Sequence, residues 1–233
     1  MSEHAGWLLL HGTPLTPQIW NGVADYLRGY GPVQCPEITP TAGRQGAQAA
    51  LAAQLAAALE PFPERLHVVG HSFGGQVAID LALLAPHRMA ALTVICSRDT
   101  PFPAFATAAA RLRHGHPLDI ADALGRWFTP SELAAGGPVV SYARHCLQQA
   151  DRTSWAAALD AIASYDRADR VGAISVPVTL IAAELDRVST PAAMSALAGR
   201  LPQAALRVLP GAAHMSPFSD PAQLSLLITR GVR

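Results

Sequence analysis

Short apolar runs alternate along the chain with longer stretches in which apolar residues recur at helical spacing. Residues 7–10 are apolar throughout and end at His11-Gly12. Similar runs lie at 33–35, 66–69, 91–95, 178–183 and 206–209, each short enough for a buried strand. Between them, leucine recurs at 51, 55 and 59 in a stretch stopped by Pro61 and Pro63, which predicts a helix over 47–59. Residues 74–84 are apolar on most faces and end at Pro86, which predicts a buried helix. Two more helices, 191–200 and 221–230, begin with proline, a residue tolerated in the first turn. The stretch 15–30 reads as a loop and a helix closed near Gly29 and Gly31.

Strands separated by helices predict βαβ units and a mostly parallel sheet in an α/β fold. Residues 97–169 break the alternation. They contain no convincing strand but carry Trp127, Phe128, Trp155 and several amphipathic patterns. The expected organisation is a core domain of residues 1–96 and 170–233, with a helical cap of 97–169 inserted in it.

Composition narrows the chemistry. Half of the 233 residues are hydrophobic, 15% are charged and the formal net charge is zero, so a packed core is expected and no nucleic-acid or anionic-membrane partner is implied. Every basic residue is arginine. Without lysine there is no Walker A loop, Schiff base or Ser–Lys dyad. Cys35, Cys96 and Cys146 are far apart and form no Cys-x-x-Cys pair, so buried free thiols are expected. The apolar run at 7–10 is too short for a leader h-region or a membrane span, and the expected location is the cytoplasm. No feature marks a subunit interface.

The sharpest local signal is Gly70-His71-Ser72-Phe73-Gly74-Gly75, between an apolar run and a helical pattern. Gly-x-Ser-x-Gly in strand–turn–helix context is a nucleophile elbow, which exposes Ser72 beside a helix N-terminus. A hydroxyl needs a base. Of nine histidines, His214 follows the run at 206–209 and falls at the same C-terminal sheet edge as Ser72. His11 is expected to brace its loop. His67 sits within a strand, and His71 should point away from the serine in a tight turn. His87, His114, His116 and His145 read as surface or cap residues. The base needs a carboxylate to hold its tautomer. Asp186 follows the run at 178–183 and is preferred, with Glu184 and Asp99 as alternatives. Backbone N–H groups of Phe73 and Thr13 are the expected oxyanion donors, since Pro14 has none to give.

The set His11-Gly12, Gly70 to Gly75, Asp186 with Pro191 beyond it, and Gly211-Ala212-Ala213-His214 resembles the α/β-hydrolase fold from residue 7 to the last helix. Within it the chain is similar to esterases, lactonases and carbon–carbon bond hydrolases. Arg126 to Pro130 and the run 154–171 look like the cap of the 3-oxoadipate enol-lactonases. The resemblance implies a three-layer αβα sandwich of about six strands, trimmed at its N-terminus. It implies a serine hydrolase that cleaves a small ester, lactone or thioester through an acyl-enzyme, without metal or cofactor. Carbon–carbon hydrolysis, acyl transfer, perhydrolysis and a slow-turnover receptor are the alternatives it leaves open. It excludes the aspartate-nucleophile dehalogenases and epoxide hydrolases, and the lysine-dependent hydroxynitrile lyases. Trp127 is the first candidate for substrate contact on this likeness, with Phe102 and Phe105 from the same cap.

Overall fold

The computed structural model describes residues 5–40, 46–59 and 63–230. Its six strands are β1 (Gly6–Leu10), β2 (Val33–Gln34), β3 (Leu66–His71), β4 (Met89–Ile95), β5 (Val178–Ala183) and β6 (Ala204–Leu209). They pair in parallel in the order β2–β1–β3–β4–β5–β6. A parallel sheet covered on both faces needs apolar residues at every position, which is why the inner strands read as continuous apolar runs. Accordingly β1 and β5 are buried throughout, whereas β2 and β6, at the two edges, keep only half-buried and exposed positions.

Successive side chains of a strand face opposite ways, and here they feed two cores. Leu8, Leu10, Val68, Leu180 and Ala182 pack with α2 (Ala47–Ala58), α3 (Phe73–Leu84) and the later helix Pro191–Arg200. Trp7, Leu9, Val69, Ile181 and Ala183 pack with α1 (Asn21–Leu27) and the last helix, Pro221–Arg230. These are the outer layers of an αβα sandwich.

Residues 97–169 form five helices and no strand. They are α4 (Ala104–Arg113), α5 (Ile120–Trp127), α6 (Pro130–Ala135), α7 (Pro138–Gln149) and α8 (Arg152–Ser164). Asp119, Thr129 and Asp151 start three of them by accepting backbone N–H bonds from residues three further on. The insertion's buried residues are continuous with the two cores that cover the sheet. Leu112, Trp127 and Trp155 join one sheet core, and Ala158 and Ile162 the other. The remaining helices are α9 (Pro191–Arg200) and α10 (Pro221–Arg230). No helix among the described residues is long and apolar enough to cross a membrane.

β2 lies on one side of β1, and β3 and all later strands lie on the other. Strand order therefore reverses between β1 and β3. Loops leaving neighbouring strands at such a point diverge and open a crevice at the C-terminal sheet edge. The residues after β1 and β3 are His11-Gly12-Thr13 and Ser72.

Candidate active site

Ser72 occupies φ 53°, ψ −119°, a conformation that non-glycine residues rarely adopt, between the end of β3 and the first turn of α3. The turn is held by hydrogen bonds on every side. Ser72 N–H donates to Ile95 O at 3.0 Å, and Ser72 O accepts from Gly75 N–H at 2.9 Å and from the Ser97 hydroxyl at 2.7 Å. Glycine is required because the turn is crowded. A Cβ on Gly70 would lie 2.3 Å from Gly74 O, and one on Gly74 would lie 2.3 Å from Leu10 O. The elbow is thus pressed against the end of β1, and Ser72 remains half-buried and reachable.

His214 and Asp186 arrive on loops after β6 and β5. His214 Nδ1 lies 2.7 Å from Asp186 Oδ2, and both side chains are buried. A carboxylate only accepts, so Nδ1 carries the proton and Nε2 keeps its lone pair. The other carboxylate oxygen, Asp186 Oδ1, accepts N–H bonds from Val188 at 2.7 Å and Ser189 at 3.0 Å. Burial alone would raise the Asp186 carboxyl. The adjacent His214 ring and these N–H donors outweigh it and hold the pKa below the usual carboxylate value. Neither alternative acid meets His214. Asp99 is fully buried in a two-bond pair with Arg200, and Glu184 is exposed and accepts from Gly211 N–H.

His11 braces the loop after β1, as expected. Its Nδ1 lies 2.8 Å from Gly12 O, and its Nε2 lies 3.2 Å from Ile38 N and 3.1 Å from the Glu37 carboxylate, which ties the loop to the segment after β2. Thr13 follows at the cavity wall, joined to Pro14 by a cis peptide. Phe73 is the first residue of α3, where a backbone N–H has no partner within the helix.

Ser72, His214, Gly12 and Thr13 line one cavity of about 270 Å³. Its walls are mostly apolar, with Phe105, Leu112, Trp127, Trp155, Leu159 and Val188 among them, and Arg111, His116 and Asp122 carry charge or polarity at other points of its lining. Of the three cap aromatics expected at substrate, Trp127 and Phe105 line this cavity and Phe102 does not. Phe102 stacks edge-on against Phe105, with centroids 4.7 Å apart, beneath the Arg98 guanidinium. It supports the wall from behind because its position before α4 directs it to the helix-covered core. Trp127 also acts through its backbone: its carbonyl accepts from Met215 N–H at 2.9 Å, one residue past His214.

Residues 7–225 match the alpha/beta hydrolase family. The chain belongs to that family. This hydrolase is 29% identical over 243 residues to a pimeloyl-[acyl-carrier protein] methyl ester esterase of Aromatoleum aromaticum, with 97% of each chain covered. Among solved structures it is similar to a thermophilic esterase from Thermogutta terrifontis, with a TM-score of 0.86, 26% identity, and 97% of this chain and 88% of that chain covered. The enol-lactonase from Burkholderia xenovorans LB400 shares the fold, with a TM-score of 0.88 at 20% identity over 98% of this chain and 91% of that one.

Two side chains of the hydrolase's site escaped the sequence reading. His71 was expected to point away, yet it is buried against His214, with ring centroids 4.8 Å apart. It leaves the serine but meets a loop 143 residues later, a contact with no local signature. Cys96, buried at the end of β4 with φ 46°, places its thiol beside Asp186; burial first, and then that carboxylate, push the thiol well above its usual pKa. Donor atoms of His71, Cys96 and His214 lie within 4.8 Å of one another, a set that metal ions favour. Here His214 Nδ1 is engaged with Asp186 and one nitrogen of His71 with the His214 carbonyl, so the cluster serves a hydrogen-bond network.

Proposed function

We propose that this hydrolase cleaves a carboxylic ester or lactone through an acyl-enzyme on Ser72. The observation that carries the reading is the 2.7 Å bond between His214 and Asp186, which leaves His214 Nε2 basic in the loop lining the same cavity as Ser72. Ser72 Oγ attacks the carbonyl carbon while His214 takes its proton. Thr13 and Phe73 N–H groups receive the oxyanion. His214 then protonates the departing alkoxide, and the alcohol leaves, or with a lactone stays on the acyl group as its new hydroxyl. Water repeats the sequence on the acyl-enzyme, releasing the acid and restoring Ser72. Asp186 stays ionised throughout and stabilises the imidazolium.

The apolar walls suit an acyl chain more than a polar or multiply charged one. The full-length likeness to a pimeloyl methyl ester esterase makes methyl esters of medium-chain acids the first natural-type substrates to try, with lactones beside them. The deciding test compares wild type and Ser72→Ala on short-chain p-nitrophenyl esters, with a fluorophosphonate probe alongside. Turnover and labelling are both expected to vanish in the variant, with turnover down at least about 10³-fold. A Ser72→Ala protein that keeps most of its activity sinks the assignment.

A further inference from the structure

Three catalytic segments meet at His71: the loop after β1, the elbow after β3 and the loop after β6. We infer that His71 is a positioning residue for His214, holding the base by its main-chain carbonyl and backing its imidazole with a second ring. The inference rests on the roles proposed above for Ser72 and His214.

His71 is 1% exposed. Its Nε2 lies 3.2 Å from His214 O, and a carbonyl only accepts, so Nε2 carries the proton and donates. Nδ1 is then a bare lone pair, buried and without a partner among the described residues. The ring packs between His214, at 4.8 Å, and Phe218, whose ring meets it edge-on at 4.9 Å. On the third side a Cβ on Gly12 would lie 2.9 Å from Nδ1, so only glycine lets the Thr13 loop close down here.

The consequence for the base is geometric. Asp186 holds the His214 ring at Nδ1, and His71 holds the backbone from which that ring hangs. Because His71 precedes Ser72 directly, its bond to His214 O fixes nucleophile and base relative to each other. The groups facing His71 are His214, Asp186 and His11, with the Cys96 thiol close by. Burial, and then the neighbouring His214, push its pKa down to about 3, so the ring is uncharged when His214 becomes imidazolium. A charged ring there would repel the intermediate; a neutral one does not.

Two substitutions separate donor from ring. His71→Phe keeps a ring and loses the N–H; His71→Gln keeps an N–H near the Nε2 position and loses the ring. We expect His71→Phe to lower kcat, and the rate of fluorophosphonate labelling, by roughly 10- to 100-fold with KM within about twofold. His71→Gln should recover most of that loss. A folded His71→Phe protein with wild-type kcat overturns the inference, as does His71→Gln no better than His71→Phe. Should His71→Phe not fold, nitrogen NMR of wild type decides: His71 is expected as the Nε2–H tautomer from roughly pH 5 to 9. An Nδ1–H tautomer, or titration of His71 in that range, overturns it. The Ser72→Ala control keeps the two proposals apart. Turnover that dies in Ser72→Ala but is untouched in His71→Phe removes only the role of His71. Turnover that survives Ser72→Ala removes the ester-hydrolase reading as well.

Discussion

At the scale of single residues, the buried histidine beside the elbow carries a thermodynamic signature. An unfolded chain binds a proton at His71 below the ordinary value of 6.5, whereas the folded protein does so only near pH 3. Between these values the unfolded state holds more protons, so stability rises with pH there. The penalty is absent above about pH 6.5 and grows as pH falls, by up to about 1.4 kcal/mol per pH unit from this one group. Urea midpoints measured from pH 7 to pH 4.5 should therefore fall, and fall less steeply in His71→Gln; equal slopes would contradict the burial described. Ser72, Asp186 and His214, the residues of the proposed mechanism, could be singled out because each follows an apolar run at the C-terminal end of a strand. Their neighbours His71 and Cys96 could not. What brings them to His214 and Asp186 is contact with loops far along the chain: His71 fills a position that the elbow motif leaves free, and Cys96 stands in no motif.

At the scale of elements, the strand–turn–helix unit works only because β1, β3 and α3 approach more closely than side chains allow. Alanine at 74 would put a methyl group 2.3 Å from Leu10 O, and neither backbone can yield without shifting a central strand. Gly74→Ala should cost at least about 2 kcal/mol and abolish activity. Gly125 is the contrast, since it lies within α5 with open space around its Cβ position. Gly125→Ala should gain about 0.5–1 kcal/mol from helix propensity alone. Thermal or urea unfolding of the two variants reads both signs; equal effects would deny the crowding at the elbow. Proline and polar punctuation made some boundaries legible to the residue: Val178–Ala183, Pro191–Arg200 and Pro221–Arg230 are where the pattern puts them. Elsewhere the signal was weaker. β6 starts at Ala204 rather than Leu206, because alanine carries no strand preference, and β3 continues through Gly70 and His71 past its apolar run. The insertion was legible as helical from its amphipathic patterns, but the bounds of its five helices were not, since its alanine-rich stretches offer little contrast between faces.

At the scale of the whole molecule, the six-stranded sheet and its layers were legible because alternating strands and helices admit few arrangements. How the insertion is fastened was not. Its far end is tied to α3 by Arg167, whose Nε and Nη2 donate to Asp80 at 2.6 and 3.0 Å, while the Tyr165 hydroxyl donates to Gln76 O at 3.0 Å. Asp80 is buried, so removing Arg167 leaves its charge without this counter-ion, held by the Tyr165 hydroxyl at 3.3 Å. Arg167→Leu should cost about 3–5 kcal/mol, and adding Asp80→Asn should return part of it. Unfolding midpoints of the single and double variants measure the coupling, and strict additivity would refute it. The insertion's middle is fastened at Thr16, through the Tyr142 hydroxyl, and at Met215, through Trp127 O. These fastenings land on the segments that carry Thr13, Ser72 and His214. The insertion is therefore not an interchangeable lid. A chimaera carrying another family member's helices would replace the cavity walls that Phe105, Trp127 and Trp155 supply and slacken the histidine loop in the same exchange, so a reshaped cavity is better sought by changing side chains within this insertion than by transplanting a foreign one.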